Sequence, residues 1–171
     1  MRIVIDTNVL ISGVFFGGFP RKILSAVVGQ KITACATAEI INEYEDIVQE
    51  MINRKQGHIN RTILSPLIKA MEIIEPVTHV EICRDPDDNK FLECAKDSHA
   101  LYIISGDKDL LIIEKFENVQ IVTEKDFLRK IFFGIIFLFL PPFFYTICQI
   151  GNEKMPFKIK VFSHSIRSSE S

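Results

Sequence analysis

The chain contains no tryptophan, only four cysteines and four histidines, and charges that nearly balance. The cysteines show no CxxC spacing, which argues against a disulfide framework and favours free thiols in a reducing compartment. The histidines are scattered, so we predict no zinc site. A net charge of −2 over 171 residues argues against a nucleic-acid binder driven by overall charge.

Several well-known sequence motifs are also missing. The chain has neither a GxxxxGK[ST] phosphate loop nor a GxSxG nucleophile motif. A calcium loop beginning at Asp85 would need glycine and glutamate where Lys90 and Lys96 stand. No secretion signal precedes the apolar residues 3–5, so we expect a cytoplasmic protein.

The order of the apolar segments predicts an α/β fold. Short β-branched or apolar runs, typical of strands buried on both faces, alternate with helical patterns. The clearest helix spans residues 37–54, where the apolar side chains fall on one arc. Strands alternating with helices indicate a central parallel sheet. We expect strands at 3–5, 31–36, 101–104 and 119–122, and helices at 21–28, 37–54, 60–71, 89–97, 107–114 and from about 124 to 130.

The composition changes after Lys130. Residues 131–150 carry no charge and 15 of them are apolar, which is long enough to span a bilayer. Residues 151–171 are polar, and we expect them to be disordered. We therefore divide the chain into a domain (1–130), a Phe-rich hydrophobic segment (131–150) and a tail (151–171). The segment is a membrane anchor, an accident of the gene such as a frameshift, or a packing surface; Pro141-Pro142 at its centre favours the accident.

Acidic residues stand where the predicted strands end. Asp6 follows the first strand directly, and Asp107 follows the strand at 101–104 within a few residues. The run Asp85–Asp88 opens a helix, and Asp88 shares the helix face of the apolar positions that follow it. Glu43 lies beside the apolar arc of the 37–54 helix. Because open parallel sheets bind ligands at the carboxyl ends of their strands, these four carboxylates are candidates for one site.

Four neighbouring carboxylates need a compensating positive charge. Mutual repulsion would raise their pKa values, and Mg²⁺ or Mn²⁺ with oxygen ligands is the compensation that this donor set favours. A metal ion held by carboxylates suits phosphodiester cleavage. Each acid taken singly also fits an ordinary role as a helix cap, a turn residue or a solvated surface charge.

Three blocks of the sequence resemble the PIN-domain family. They are Ile3–Leu10 (IVIDTNVL), Arg84–Ala95 (RDPDDNKFLECA) and Ile104–Leu111 (ISGDKDLL), and they cover a region of about residues 1–130. They are most similar to the bacterial "putative toxin" subfamily, which is akin to VapC-type toxins. The resemblance implies a three-layer α/β/α PIN-like domain with a central parallel sheet.

The resemblance also implies a function and a set of site residues. PIN domains are metal-dependent ribonucleases, and their acids match Asp6, Glu43, Asp88 and Asp107 as catalytic and metal-binding residues. Glu39 competes with Glu43 for its role, and Asp109 is a near alternative metal ligand to Asp107. Two further residues, Asn8 and Ser105, would orient carboxylates by hydrogen bonds. The expected cofactor is Mg²⁺ or Mn²⁺.

RNA is the substrate that this resemblance implies. Arg21, Lys22 and Lys108 are candidates for contacts with its backbone. Phe15, Phe16 and Phe19 would stack on bases or, as we favour, pack in the core or a dimer.

Three functions remain open at this point. The first is the toxin of a type II toxin–antitoxin system, with a cognate antitoxin as partner. The second is an RNA-processing nuclease without an antitoxin, and the third is a non-catalytic acidic binding module. A homodimer is a further expected assembly, and the membrane contact through 131–150 is not favoured.

Overall fold

The computed structural model describes residues 1–54 and 64–139, with side chains up to residue 131. The chain divides into one unit, Met1–Gly134, and a second unit, Ile135–Ser171. Of the second unit only residues 135–139 are described, and they are helical. The predicted tail at 151–171 and most of the segment 131–150 lie outside the described residues, so the proposed domain limits stay a prediction.

The described residues of the first unit form six strands and seven helices, the last of which continues beyond the unit. The strands are β1 (Arg2–Ile5), β2 (Thr33–Ala36), β3 (Glu72–Ile73), β4 (Tyr102–Ile104), β5 (Lys115–Phe116) and β6 (Val119–Val122). The helices are α1 (Thr7–Phe15), α2 (Gly18–Val28), α3 (Ala38–Arg54), α4 (Leu64–Ala70), α5 (Asn89–Asp97), α6 (Lys108–Leu111) and α7 (Glu124–Phe139). A 3₁₀ turn, Pro86–Asp88, precedes α5.

The strands form one sheet in the order β3-β2-β1-β4-β6-β5. Every pair is parallel except β5 and β6. At the centre, Val4 of β1 stands opposite Cys35 on one side and Ile103 on the other. The predicted α/β fold with a mostly parallel sheet flanked by helices is confirmed. The antiparallel edge was not predicted, because a two-residue strand such as β5 is too short to show a hydrophobic period.

The core is built from the apolar runs that the sequence shows. Ile3, Val4 and Ile5 are fully buried, as expected for a central parallel strand with helices on both faces. Helix α3 turns one arc inward and buries Ile40 and Tyr44 completely. The thiols of Cys35 and Cys94 are free and buried.

Several elements differ from the predictions. Helix α1 and strand β3 were not predicted, α2 begins at Gly18 instead of residue 21, and α6 ends at Leu111 instead of residue 114. Helix α7 continues from Glu124 to Phe139 instead of ending at Lys130, because the apolar residues that follow contain no proline before Pro141. Of the helix predicted at 60–71, the described part is Leu64–Ala70. In the described residues no single helix is long and apolar enough to cross a membrane, although α1 and α2 together, meeting at 97°, pass on length and composition.

Candidate metal centre

The site lies at the carboxyl ends of β1 and β4, which are neighbours at the centre of the sheet. From β1 the chain crosses to β2, whereas from β4 it crosses in the opposite direction to β6. The connections therefore diverge at this point, which is where open α/β sheets leave a crevice for a ligand. Asp6 follows β1 directly, and Ser105 follows β4.

Asp6 is the buried centre of this crevice. It caps α1, and its Oδ1 accepts a 3.2 Å hydrogen bond from the backbone N–H of Asn8. Its Oδ2 accepts a 2.6 Å hydrogen bond from the Ser105 hydroxyl. Burial raises the pKa of Asp6; the two hydrogen bonds oppose this rise, and the negative charges of Asp107 and Glu43 add to it. Asp6 is therefore a buried carboxyl in an environment that disfavours its charged form.

The segment after β4 positions a second acid. The Oγ of Ser105 accepts a 2.8 Å hydrogen bond from the backbone N–H of Asp107. Asp107 then caps the short helix α6, because its Oδ1 accepts a 2.7 Å hydrogen bond from the backbone N–H of Asp109. One serine hydroxyl thus links the residues that follow the two central strands. Asn8 contributes its backbone N–H, and its side chain is exposed.

Asp88 approaches from the start of α5. Asp85 caps the 3₁₀ turn by accepting a 3.1 Å hydrogen bond from the backbone N–H of Asp87. Asp88 then ends this turn without a capping hydrogen bond from its own side chain. Burial, followed by the charges of Asp107, Asp6, Asp85 and Asp109, raises the pKa of Asp88 to about 6. The acids from three separate segments therefore share one electrostatic environment.

A strap of residues 77–83 lies along α5 and leads into this acidic turn. The sequence shows apolar alternation here, but the structure forms neither a helix nor a strand. Asn89, Glu93 and Asp97, spaced four apart on one face of α5, accept hydrogen bonds from the strap's backbone N–H groups. The buried Asn89 Oδ1 accepts two of them, at 3.0 Å from Ile82 and 2.9 Å from Cys83. These bonds fix the chain just before the Asp85–Asp88 run.

Glu43 faces the site from α3 and is held by a lysine. Its Oε2 lies 2.5 Å from the Nζ of Lys90, and the Lys90 side chain is only 14% exposed. Burial lowers the pKa of Lys90, but the hydrogen bond and charge of Glu43 outweigh burial and raise it. Glu39, the competing candidate, is 71% exposed and lies 4.0 Å from the same Nζ. Next to Glu43, the Tyr44 hydroxyl donates to the carbonyl of Ile5, which anchors α3 beside the end of β1.

Three of these groups were missed from the sequence: Lys90, Asn89 and Tyr44. Lys90 and Asn89 lie inside the Arg84–Ala95 block, in which the acidic residues are the stronger signal for a functional site. A lysine beside a run of acids is a weak signal, because most such lysines are solvated surface charges. Tyr44 falls on the apolar arc of α3, which predicts a core position, and its side chain is fully buried.

A cleft of about 600 Å³ opens beside Asp107. Its lining includes both charges and small polar groups: Asn8, Ser12, Arg84, Lys108, Asp109 and Glu124. Arg84 is 83% exposed, and its guanidinium lies 2.6 Å from Oδ2 of Asp109. Asp109 is thus paired with a cation at the rim, whereas Asp107 faces the cleft.

The other candidate RNA contacts lie elsewhere. Arg21 donates hydrogen bonds of 3.0 and 2.9 Å to the carbonyls of Gly13 and Val14, which closes the end of α1. Lys22 lies over the ring of Phe19, 5.5 Å from its centre. Both line a second cleft that does not include the acids described above.

The three phenylalanines proposed for base stacking differ in burial. Phe15 packs against the core. Phe16 and Phe19 are 68% and 46% exposed.

The acids fit a hard divalent cation by donor chemistry and charge. Asp6, Asp88 and Asp107 have no ion pair with a cation among the described residues. Burial raises the pKa values of Asp6 and Asp88, and the negative charges of neighbouring acids add to the rise. In the described part of the chain, no three histidine, cysteine or acidic side chains are close enough to ligate one ion as they stand. The oxygen donors are those that Mg²⁺ and Mn²⁺ prefer.

Comparison with known proteins gives a match to a protein family and to one relative. Residues 2–109 match the family described as "PIN domain". The chain is 34% identical to the uncharacterized protein MJ1680 of Methanocaldococcus jannaschii over 142 residues, covering 76% of this chain and 91% of that protein. No solved structure matches the chain significantly.

Proposed function

The chain belongs to the PIN-domain family, whose members are generally nucleases, and we propose that it is a metal-dependent endoribonuclease that hydrolyses RNA phosphodiesters. The observation that carries this proposal is the electrostatic interaction among acids near the carboxyl ends of β1 and β4. Asp6, Glu43, Asp88 and Asp107 come from four separate segments of the chain. Electrostatic coupling joins Asp6 to Asp107 and Glu43, and Asp88 to Asp107 and Asp6. Carboxylates that repel one another lie at the ligand-binding edge of the sheet, and such an arrangement favours a site that binds a cation.

The four acids would hold the divalent cation. When bound, the cation supplies a Lewis acid that lowers the pKa of water and offsets charge on the phosphorane-like transition state. The chain's own groups keep the acids in place: the Ser105 hydroxyl and the Asn8 backbone N–H hold both oxygens of Asp6. Lys108 and Arg84 line the adjoining cleft beside its acids, and they are the cations there that would contact a polyanionic backbone.

The test is RNA cleavage by the full chain with Mn²⁺ and with EDTA. We expect cleavage with Mn²⁺, none with EDTA, and none from Asp88→Asn. Asp46→Asn is the matched control, because Asp46 is exposed on α3 and is not coupled to the site acids described above. Cleavage that persists in EDTA and in Asp88→Asn would contradict the proposal. A folded chain that neither cleaves RNA nor binds Mn²⁺ would favour the binding module instead.

Within this activity we propose the role of a toxin neutralised by an antitoxin. The support is the resemblance of the three blocks to the bacterial putative-toxin subfamily. Induction of the full chain in a bacterial host should arrest growth, and Asp88→Asn should not. Cleavage in vitro without growth arrest would favour an RNA-processing nuclease that has no antitoxin.

The proposed location and assembly follow from weaker observations. We place the protein in the cytoplasm, which the free thiols of Cys35 and Cys94 support. We also propose a homodimer, on the resemblance alone, and the mass of the full chain in solution tests it.

A further inference from the structure

Among the cations of the described residues, Lys90 stands out because Glu43, one of the four site acids, holds it in a mostly buried position. Its side chain is 14% exposed, and its Nζ lies 2.5 Å from Oε2 of Glu43. Lys96, six residues later on α5, is 39% exposed and pairs with Glu117 outside the acidic site. Among the described residues, Lys90 is the one cation that forms an ion pair with any of the four site acids.

The position is unfavourable for a lysine on local grounds. Lys90 is the second residue of α5, where the positive end of the helix dipole repels a cation. Burying an ammonium there also costs free energy unless an anion compensates for it. Glu43, on a different helix, provides that compensation. A residue that is unfavourable at its position in a helix, and that a distant residue stabilises, is typical of functional sites.

The charge balance of the site depends on this lysine. Asp6, Glu43, Asp88 and Asp107, all ionised, carry four negative charges, and Lys90 reduces the total to three. A single divalent cation then leaves one negative charge, whereas two would leave a net positive charge before any RNA binds. The second cation would also compete with the ammonium for Glu43, since paired metal ions lie only about 3.5–4 Å apart and need shared carboxylates.

We propose that the Lys90 ammonium takes the place of a second divalent cation, so that the free protein binds one ion and not two. The inference rests on the proposed function and specifies the metal content of that site. Lys90 acts as a positioning residue, because it sets the charge and holds Glu43 and is not assigned a contact with the substrate.

The experiment counts bound Mn²⁺ in the full chain without RNA. Calorimetric titration gives the stoichiometry, and electron paramagnetic resonance detects spin coupling between paired Mn²⁺ ions. We expect one uncoupled ion in the wild type, two in Lys90→Gln and one in Lys90→Arg, which restores the charge. Lys96→Gln is the matched control on the same helix and should bind one ion.

Two results would overturn the inference: two ions in the wild type, or one ion in a folded Lys90→Gln. A merely structural Lys90 gives the second result, because loss of an ion pair lowers stability without adding a metal site. If Lys90→Gln does not fold, the number of Mn²⁺ ions that the wild type binds still tests the inference. If the wild type binds two ions and cleaves RNA with Mn²⁺, the nuclease proposal holds and the inference about Lys90 is wrong. If the wild type binds no ion, the nuclease proposal and the inference about Lys90 are both wrong.

Discussion

The hydroxyl of Ser105 donates a 2.6 Å hydrogen bond to Oδ2 of Asp6, although the two residues are 99 positions apart. The same hydroxyl oxygen accepts the backbone N–H of Asp107 at 2.8 Å. Ser105 is fully buried, so water cannot replace either bond freely. The orientation of Asp6 and the path of the chain to Asp107 therefore depend on one oxygen atom.

Ser105→Ala should weaken Mn²⁺ binding while the fold persists. The substitution leaves Asp6 Oδ2 and the Asp107 N–H without this partner and raises the pKa of Asp6 further, because the hydrogen bond favours the carboxylate. Groups that orient metal ligands typically contribute about 10–100-fold in metal affinity. Calorimetric titration measures the loss. Ser98→Ala is the control, since Ser98 is equally buried but bonds to the carbonyl of Ala95; equal effects of both substitutions would contradict the prediction.

Asp88→Asn should stabilise the metal-free protein. The amide has nearly the shape of the carboxylate but no charge, so the cost of partly burying a charge disappears together with the repulsion from Asp107 and Asp6. The full pKa shift corresponds to about 3 kcal/mol, and because solvent partly screens Asp88 we expect about 1 kcal/mol, or about 2–4 °C in Tm. Thermal unfolding in EDTA at pH 7.5 measures this. A lower Tm in the variant would show that the carboxylate is structurally required, and Asp46→Asn should leave Tm unchanged.

The stability gain from Asp88→Asn should depend on pH. The pKa of Asp88 is about 6 in the folded protein against an ordinary 3.8, so between these values the folded state binds more protons than the unfolded state. The free energy of unfolding therefore falls as pH rises through this window. We expect wild type and variant to differ little at pH 4 and to diverge up to about pH 6.5. A difference that is constant from pH 4 to pH 8 would contradict this assignment.

Mn²⁺ affinity should rise with pH over the same range. Protons and the cation compete for the carboxylates, and the pKa of Asp88, raised to about 6, places that competition near pH 6 rather than near pH 4. The raised pKa of Asp6 acts in the same direction. Titrations of the full chain at pH 5.5, 6.5 and 7.5 measure it. Affinity that does not change across these three values would exclude Asp88 as a ligand.

Asn89→Ala should destabilise the protein by about 1–3 kcal/mol, because two backbone N–H groups of the strap lose their acceptor. Denaturant unfolding measures the change. Asn89→Asp, which keeps an oxygen at the acceptor position, should recover stability relative to alanine. If alanine and aspartate variants are equally unstable, the bonds to Ile82 and Cys83 are not what the side chain contributes.

Local patterns in the sequence predicted much of this fold. The apolar run at 3–5 predicts a strand buried on both faces, and the period of α3 predicts the buried arc, because both patterns reflect interactions within a few residues. Caps behave in the same way: Asp6 and Asp107 each accept a bond from the N–H two residues later. The expectation that acids following parallel strands meet at one edge needs only the topology.

The tertiary structure decided the partners of these residues. The ion pair of Lys90 with Glu43 and the hydrogen bond of Ser105 with Asp6 each join segments that are far apart in the chain. No short-range period encodes such contacts, since they depend on where β1, β4, α3 and α5 pack against one another. The sequence alone thus specified the elements and the acids at their ends, whereas packing determined how those acids are oriented and which of them a lysine neutralises.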